Sequence, residues 1–354
     1  MKDHDCTFRG FVMRKVNKVL LAAALGASVL GVSVFWLLKK QSSAGGSGNL
    51  KFSKSTQALK SLMPIDIAHP VGLVVDKYDF DTGTKTRYFW ESEDIDDSID
   101  NWYPASTVKY LAAAGALTRL TELGLNSKDV NVTFYYKNGG NTKVVPFIEI
   151  LDKAIIQSDN TAYNQLVQIA GHERLHDTIL SDYGIHLSRP YLKDAWEALT
   201  GSREFDAPSI RLQDSSGNSV DIEPSTHQAP RACPSRSSCA RLSAFTDSIY
   251  DLVLGGKFDE ALGADNLAEL RRVLSSPKPR GETFMHAILG QITNEQFDVF
   301  HKAGFAIDYY SDSILLVDPL GRKAYAISAW GYPGRDSLTE LGKAVGRIIN
   351  EGLI

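Results

Sequence analysis

The chain has 354 residues, 43% of them apolar and 23% charged, an ordinary globular composition with enough apolar side chains for a sizeable core. Its formal net charge of −4 lacks the basic excess of a nucleic-acid binder, so no nucleic-acid partner is expected. The length suits one large domain or two small ones.

Residues 19–38 read VLLAAALGASVLGVSVFWLL, with no charge. At about 1.5 Å rise per residue such a run spans about 30 Å, the hydrocarbon thickness of a bilayer. Arg9, Arg14, Lys15 and Lys18 precede it, and Lys39 and Lys40 follow. The basic excess on the N-terminal side predicts a cytoplasmic N-terminus, with the remainder across the membrane. A cleaved signal peptide is the alternative, with Ser42-Ser43-Ala44 as its cleavage site. The run is long for that, and it ends in Phe35-Trp36-Leu37-Leu38 and two lysines. A core helix would carry a polar stripe. The expected layout is a cytoplasmic segment 1–18, a transmembrane anchor 19–38, a flexible linker 39–55 containing QSSAGGSG, and a folded domain 56–354. Of the three cysteines, Cys6 precedes the anchor. Cys233 and Cys239 form a small disulfide loop or stay as two thiols; an oxidising compartment permits the first.

Within the domain, TQALKSLM from Thr56 reads as a first helix. Strands are expected at 71–78 and 85–90, around Asp81-Thr82-Gly83. An acidic stretch, 91–100, leads to Trp102-Tyr103-Pro104-Ala105-Ser106. A helix is expected over 106–123, stopped by Gly124. A hairpin over 130–145 around Asn138-Gly139-Gly140-Asn141 comes next, then a helix over 147–156, a break at Ser158-Asp159-Asn160, and helices over 161–170 and 173–183. The long mixed segment 187–231 holds a second hairpin, 209–222. Helices at 240–254 and 266–274 precede strands at 300–309, 313–318 and 324–330 and a last helix over 337–351. Strands from both ends of the chain would form one antiparallel sheet with helices on its faces.

Three short stretches carry chemistry. Ser106-Thr107-Val108-Lys109 places a hydroxyl and an amine three apart on one helix face. Serine is a poor nucleophile without a base, and the lysine would supply one. The helix N-terminus adds partial positive charge where an anion develops. Alone the pattern is weak; it recurs at Ser275-Ser276-Pro277-Lys278. Ser158-Asp159-Asn160 offers a second hydroxyl to protonate a departing nitrogen and an amide to hold lysine and substrate, although alone it reads better as a helix cap. His301-Lys302-Ala303-Gly304 opens a strand with a cation for a substrate carboxylate and a glycine that allows close approach; alone it is an ordinary edge-strand lysine.

Together these resemble the S-x-x-K, S-D-N and K-T-G set of class A β-lactamases and penicillin-binding proteins. YPASTVKYLAAAGAL and SDNTAYNQL look like that superfamily beyond the bare motifs. The resemblance runs from about residue 56 to the C-terminus. It implies an α/β fold, a three-layer α/β/α sandwich, here behind one N-terminal transmembrane helix, on the periplasmic side of a bacterial inner membrane. It implies an acyl-serine reaction without cofactor or metal on small-molecule or peptide substrates, either β-lactams or D-alanyl amides. Ser106 is then the nucleophile, Lys109 its base or relay, Ser158 the proton shuttle, Asn160 a ligand of substrate and lysine, and Lys302 the carboxylate site. Gly304 lies beside the substrate, and the backbone N–H groups of Ser106 and Phe305 form the oxyanion hole.

Two departures stand out. Ala303 replaces the hydroxyl residue of the third motif, removing a hydrogen bond to a charged group worth about 1.5–3 kcal/mol. The segment 187–231 is longer than the class A loop and lacks its E-x-x-L-N signature, whose glutamate activates the hydrolytic water. Glu223 is the candidate for that role, with Glu197 and Glu204 behind it. Three readings therefore stay open: an efficient hydrolase, a slow-deacylating D,D-peptidase, and a non-catalytic binding module of the cell envelope.

His172-Glu173-Arg174-Leu175-His176 is formally an H-E-x-x-H, with Glu197 as an available third zinc ligand. It explains none of the three serine motifs, which all occur together. The charge bias around 19–38 predicts export: a phosphatase fused just after Leu50 is active and a cytoplasmic reporter at the same point is silent. The reverse pattern rules export out.

Overall fold

In the computed structural model the described residues are 52–59, 61–63, 67, 71–91, 104–136, 144–187, 208–223, 238–239, 241–276, 284–306, 309–332 and 335–354. The apolar run 19–38, Glu197, Glu204, Cys233 and Lys278 lie outside them. Among the described residues no helix is long and apolar enough to cross a membrane.

In chain order they form β1 (Ser53–Ala58), β2 (Val71–Asp79), β3 (Thr84–Glu91), a 3-10 turn (Ala105–Val108) that runs into α1 (Lys109–Glu122), β4 (Asn131–Tyr135), β5 (Val144–Pro146), α2 (Phe147–Ile155), α3 (Asn160–Ala170) and α4 (His172–Leu175). A π turn (His176–Leu180) and a 3-10 turn (Ser181–Tyr183) prolong α4. There follow β6 (His186–Leu187), β7 (Ser209–Gln213), β8 (Ser219–Ile222), β9 (Ser238–Cys239), α5 (Leu242–Val253), α6 (Asp259–Ser275), α7 (Phe284–Leu289), β10 (Asp298–Ala306), β11 (Tyr309–Val317), β12 (Lys323–Gly331) and α8 (Arg335–Asn350).

The main sheet runs β1-β3-β2-β12-β11-β10, so strands from both ends of the chain meet at β2 and β12. Its central strands read as nearly continuous apolar runs because both faces are covered. Leu73, Val75, Ile314, Leu316, Tyr325 and Ile327 pack on one face against α7 and α8. On the other face lies α5, which accepts a hydrogen bond from Ser313 Oγ at the Phe245 carbonyl, 3.3 Å away. Beyond it α1 is buried along almost its whole length. Its small residues admit close neighbours: a Cβ on Gly115 would meet Leu175 Cδ1 at 2.5 Å. The sandwich thus has helices on both sides of the sheet, as expected.

Several details differ from the sequence reading. TQALKSLM does not begin a helix: residues 53–58 form β1, paired in parallel with β3 from Ser53↔Thr84 to Ala58↔Phe89. The main sheet is therefore not wholly antiparallel. All six β1 side chains are exposed, so no apolar periodicity marks the strand; the free edge of β3 decides it. Residues 53–55 fall in the stretch read as linker. The hairpins at 130–145 and 209–222 join through β4 and β7 into one four-stranded sheet, β5-β4-β7-β8. Tyr309 starts β11 and does not end β10. The short helix α7 carried no signal of its own.

A buried ion cluster ties β2 and β3 to α5. Asp76, with no exposed surface, accepts Arg87 Nε and Nη2 at 2.7 and 2.6 Å and lies 2.8 Å from Lys85 Nζ. Both cations also reach Asp247 on α5 at 2.6 Å. Burial pushes the Asp247 carboxyl up, but the Arg87 hydrogen bond and the Lys85 and Arg87 charges outweigh it and hold it below the usual carboxylate range. Its contribution is fully present above the unfolded value of about 3.9 and is lost as pH falls through the lower folded value. On acidification below about pH 4 the thermal midpoint should fall, and fall less in Asp247→Asn. Removing one partner of a buried pair costs about 3–5 kcal/mol. Since Asp247 still serves both cations, urea unfolding of Asp76→Asn should show a loss near the lower end, about 3 kcal/mol.

Candidate active site

Ser106 sits on the 3-10 turn, not in the α-helix proper. The turn closes with the Lys109 N–H donating to the Ser106 carbonyl. Side chains three apart eclipse on a 3-10 turn, which brings the hydroxyl and amine-bearing chains to one side more directly than an α-helix would. The preceding Ala105 has φ +48°, a left-handed conformation that costs an alanine about 1–2 kcal/mol.

Lys109 is fully buried. Its Nζ donates to the Ser158 carbonyl at 2.5 Å and to Asn160 Oδ1 at 2.7 Å, and lies 3.4 Å from Ser158 Oγ. The Tyr163 ring, centred 5.9 Å away, forms another wall. Ser158 has φ +59°, which turns its carbonyl and side chain toward the lysine. Asp159 points elsewhere: it caps α3, accepting the Ala162 N–H at 2.7 Å. The cap reading of this tripeptide is thus met by its middle residue, while the outer two face Lys109. Behind the loop lies a separate cavity of about 350 Å³ between β4–β5 and α2–α3, lined by Tyr136, Glu149, Lys153 and Asp159 among others.

Lys302, on β10, completes the cluster. It is 3% exposed, and its Nζ donates to Ser158 Oγ at 3.0 Å and to the Ala303 carbonyl at 2.6 Å. One serine hydroxyl therefore stands between the side-chain nitrogens of two buried lysines. Gly304 follows on the same strand, and the close approach it allows is used by the protein itself. A Cβ there would meet the Pro104 carbonyl at 2.4 Å, Ser311 Oγ at 2.6 Å and Thr107 Oγ1 at 2.7 Å. Phe305 is 57% exposed with its ring 4.6 Å from that of Tyr310.

The structure brings Lys109, Ser158, Asn160 and Lys302 together by hydrogen bonds and places Ser106 one turn before the first. Glu223 stands apart. It is exposed and follows β8, the outer strand of the small sheet. No hydrogen bond or ion pair joins it to Ser106, Lys109 or Ser158 among the described residues. Sequence reasoning did not single out Thr107 and Ser311, which flank Gly304; an unremarkable serine in a strand gives no signal.

The H-E-x-x-H residues do not line an open site. The His172 and His176 rings are 6% and 2% exposed, their centroids 4.7 Å apart, and His172 Nδ1 faces Glu173 Oε1 at 3.2 Å. Among the described residues no group of three or more His, Cys, Asp or Glu side chains is arranged to hold a metal ion.

The model of the β-lactamase enzyme family matches residues 97–352. The chain belongs to that family. Its fold is similar to a β-lactamase from Burkholderia vietnamiensis, with a TM-score of 0.52, 17% identity, and 78% of this chain and 90% of that one covered. A point mutant of the class A β-lactamase of the last common ancestor of Gram-negative bacteria gives 0.54, 19%, 83% and 97%. PBP-A gives 0.53, 11%, 84% and 98%. No curated protein matches the sequence. At these identities the structures speak to fold, and the family to a β-lactamase-fold serine hydrolase.

Within this family site the fit of Gly304 against the turn is tight enough to test. Gly304→Ala forces the Pro104 carbonyl or the strand to move, an overpacking that costs about 1–3 kcal/mol. Urea unfolding should report that loss.

Proposed function

We propose that the protein is an acyl-serine hydrolase acting on β-lactams or D-alanyl-type amides, with Ser106 as nucleophile. The observation that supports this is the placing of Ser158 Oγ between Lys302 and Lys109, 3.0 and 3.4 Å away, beside the turn that carries Ser106. In the forward step the Ser106 oxygen bonds to the substrate carbonyl carbon and its proton passes to Lys109, acting as a neutral amine. The C–N bond then breaks, and the nitrogen takes a proton from Ser158, which Lys302 or Lys109 restores. Asn160 and Lys302 are the polar groups available to orient the substrate, Lys302 through a carboxylate. The N–H groups of Ser106 and Phe305 are assigned to the oxyanion.

The return step, hydrolysis of the ester on Ser106, needs a held and activated water. Ser158 and the lysines are packed for proton transfer during acylation, whereas Glu223 stands apart, so deacylation is assigned as the slow half. The reading also places the domain outside the cytoplasm, anchored to the inner membrane by 19–38; the support for that is the apolar run and its flanking charges alone.

Intact-protein mass spectrometry after mixing with a penicillin tests the proposal. Wild type should gain the mass of one penicillin, Ser106→Ala should gain none, and folded Lys109→Ala should label far more slowly. A positioned general base contributes about 10²–10⁴-fold, so without one the adduct should persist for minutes or more. Product should then appear as a burst matching the protein concentration. Labelling of Ser106→Ala overturns the nucleophile. Steady hydrolysis without a burst overturns the slow return step, and Glu223→Gln is then the first variant to make: a trapped adduct would assign the water to the long loop.

A further inference from the structure

The contact between the serine turn and the sheet contains two buried hydroxyls to which the acyl-transfer reading gives no task. Thr107 and Ser311 are 1% and 3% exposed, with their oxygens 2.8 Å apart. Ser311 Oγ donates to the Pro104 carbonyl at 2.7 Å. The same carbonyl accepts the Thr107 N–H at 3.0 Å. A serine hydroxyl has one proton. With that proton on the Pro104 carbonyl, Ser311 must accept from Thr107, and the chain has one direction: Thr107 hydroxyl to Ser311 hydroxyl to Pro104 carbonyl.

The loop so closed contains only two further residues, Ala105 and Ser106. Ala105 is held at φ +48°, where a residue with a Cβ persists only if its surroundings over-determine it. The restraints come from three sides. Pro104 is fixed from β11 and from its own turn, Thr107 is fixed by Ser311, and Gly304 on β10 leaves no room for the turn to relax toward the strand. Without the Ser311 hydroxyl the buried Thr107 O–H loses its acceptor and Pro104 loses its tie to β11; without the Thr107 hydroxyl the far end of the turn loses its tie to β11. Either loss lets Ala105 return to negative φ, which rotates Ser106 away from its present direction.

We propose that Thr107 and Ser311 are positioning residues: their hydroxyl chain holds Ala105 left-handed and thereby aims Ser106 at the substrate carbonyl. The proposal rests on Ser106 being the nucleophile. Its signature is a fall in the rate of acylation with little change in non-covalent binding, because the groups that hold the substrate are elsewhere.

Stopped-flow acylation of the full-length chain by a chromogenic cephalosporin separates the two constants. Thr107→Val and Ser311→Ala should lower the acylation rate constant by about ten- to a hundredfold, the range expected for a misplaced reacting group, while the dissociation constant of the first complex stays within about twofold of wild type. Thr107→Ser, which keeps the hydroxyl, should acylate at close to the wild-type rate. Glycine adopts positive φ without strain, so Ala105→Gly added to Ser311→Ala should recover a measurable part of the lost rate. Thr121→Val serves as the control. It removes a hydroxyl that bonds Leu262 and Asn266 away from the site and should acylate as wild type does. Wild-type rates in both Thr107→Val and Ser311→Ala overturn the positioning role and leave the nucleophile standing. An equal loss in Thr121→Val, or no recovery with Ala105→Gly, also overturns it. Failure of the wild-type chain to form any adduct overturns the acyl-transfer reading, and this proposal with it.

Discussion

The turn from Pro104 to Lys109 lies so close to β10 that only hydrogen fits at position 304, and the rest of the site is arranged around that contact. It sets the distance between two chemical elements far apart in sequence. On one side is the serine turn leading into α1, which carries Lys109. On the other is the strand that carries Lys302. Ser158 then joins them, because its hydroxyl is in hydrogen-bond contact with both lysine nitrogens. Moving the turn and α1 away from β10 would separate the two lysines that this hydroxyl bridges. The small residues of α1, which let α3 and α4 pack closely, belong to the same constraint: they bring Ser158, at the mouth of α3, within reach.

Burying two lysines is costly, and the local structure shows how the cost is met. A lysine head group taken out of water must find hydrogen-bond partners or it loses several kcal/mol. For Lys109 these are the Ser158 carbonyl and Asn160 Oδ1; for Lys302 they include the carbonyl of its own neighbour, Ala303. All of these acceptors are carbonyl oxygens of the backbone or of an amide, none a carboxylate. The price of presenting them is the left-handed backbone at Ser158. The Asp76 cluster answers the same problem differently, with carboxylates, as suits a site that holds elements together and transfers no proton.

Much of this was legible in the sequence, for reasons that differ by residue. Ser106, Lys109, Ser158, Asn160 and Lys302 stand in short motifs whose spacing follows local geometry, so the spacing survives in one chain read alone. The central strands announced themselves through apolar runs, and α8 through its helical period. The parallel edge strand β1 did not, because all its side chains are exposed and its pairing comes from β3. The joining of two separate hairpins into one small sheet is a tertiary choice with no local signature. Gly304 was read as room for substrate, and the structure shows the room filled by the protein's own turn. Thr107 was hidden inside its motif, and Ser311 had no motif at all: a serine facing inward from a strand becomes informative only when the carbonyl it meets is known.

The two halves of an acyl-transfer cycle make unequal demands on such a scaffold. Attack on the carbonyl requires a nucleophile, a base, a proton donor and oxyanion N–H groups held within fractions of an ångström, and groups on helices and strands are held better than groups on loops. Here Ser106 and Lys109 ride on the turn and helix, Asn160 opens a helix, Ser158 is pinned by Lys109, and Lys302 lies in a strand. Hydrolysis of the resulting ester requires a water on the exposed face, and a residue reaching over the adduct to activate it must come from the surrounding connections. One such connection is the long one between α4 and α5. Its one described hairpin is committed to the small sheet through β4, with β8 and Glu223 on the far edge. The groups proposed for attack thus lie on a turn, a helix and a strand of the main body, whereas the one proposed for the return step follows an edge strand of the small sheet.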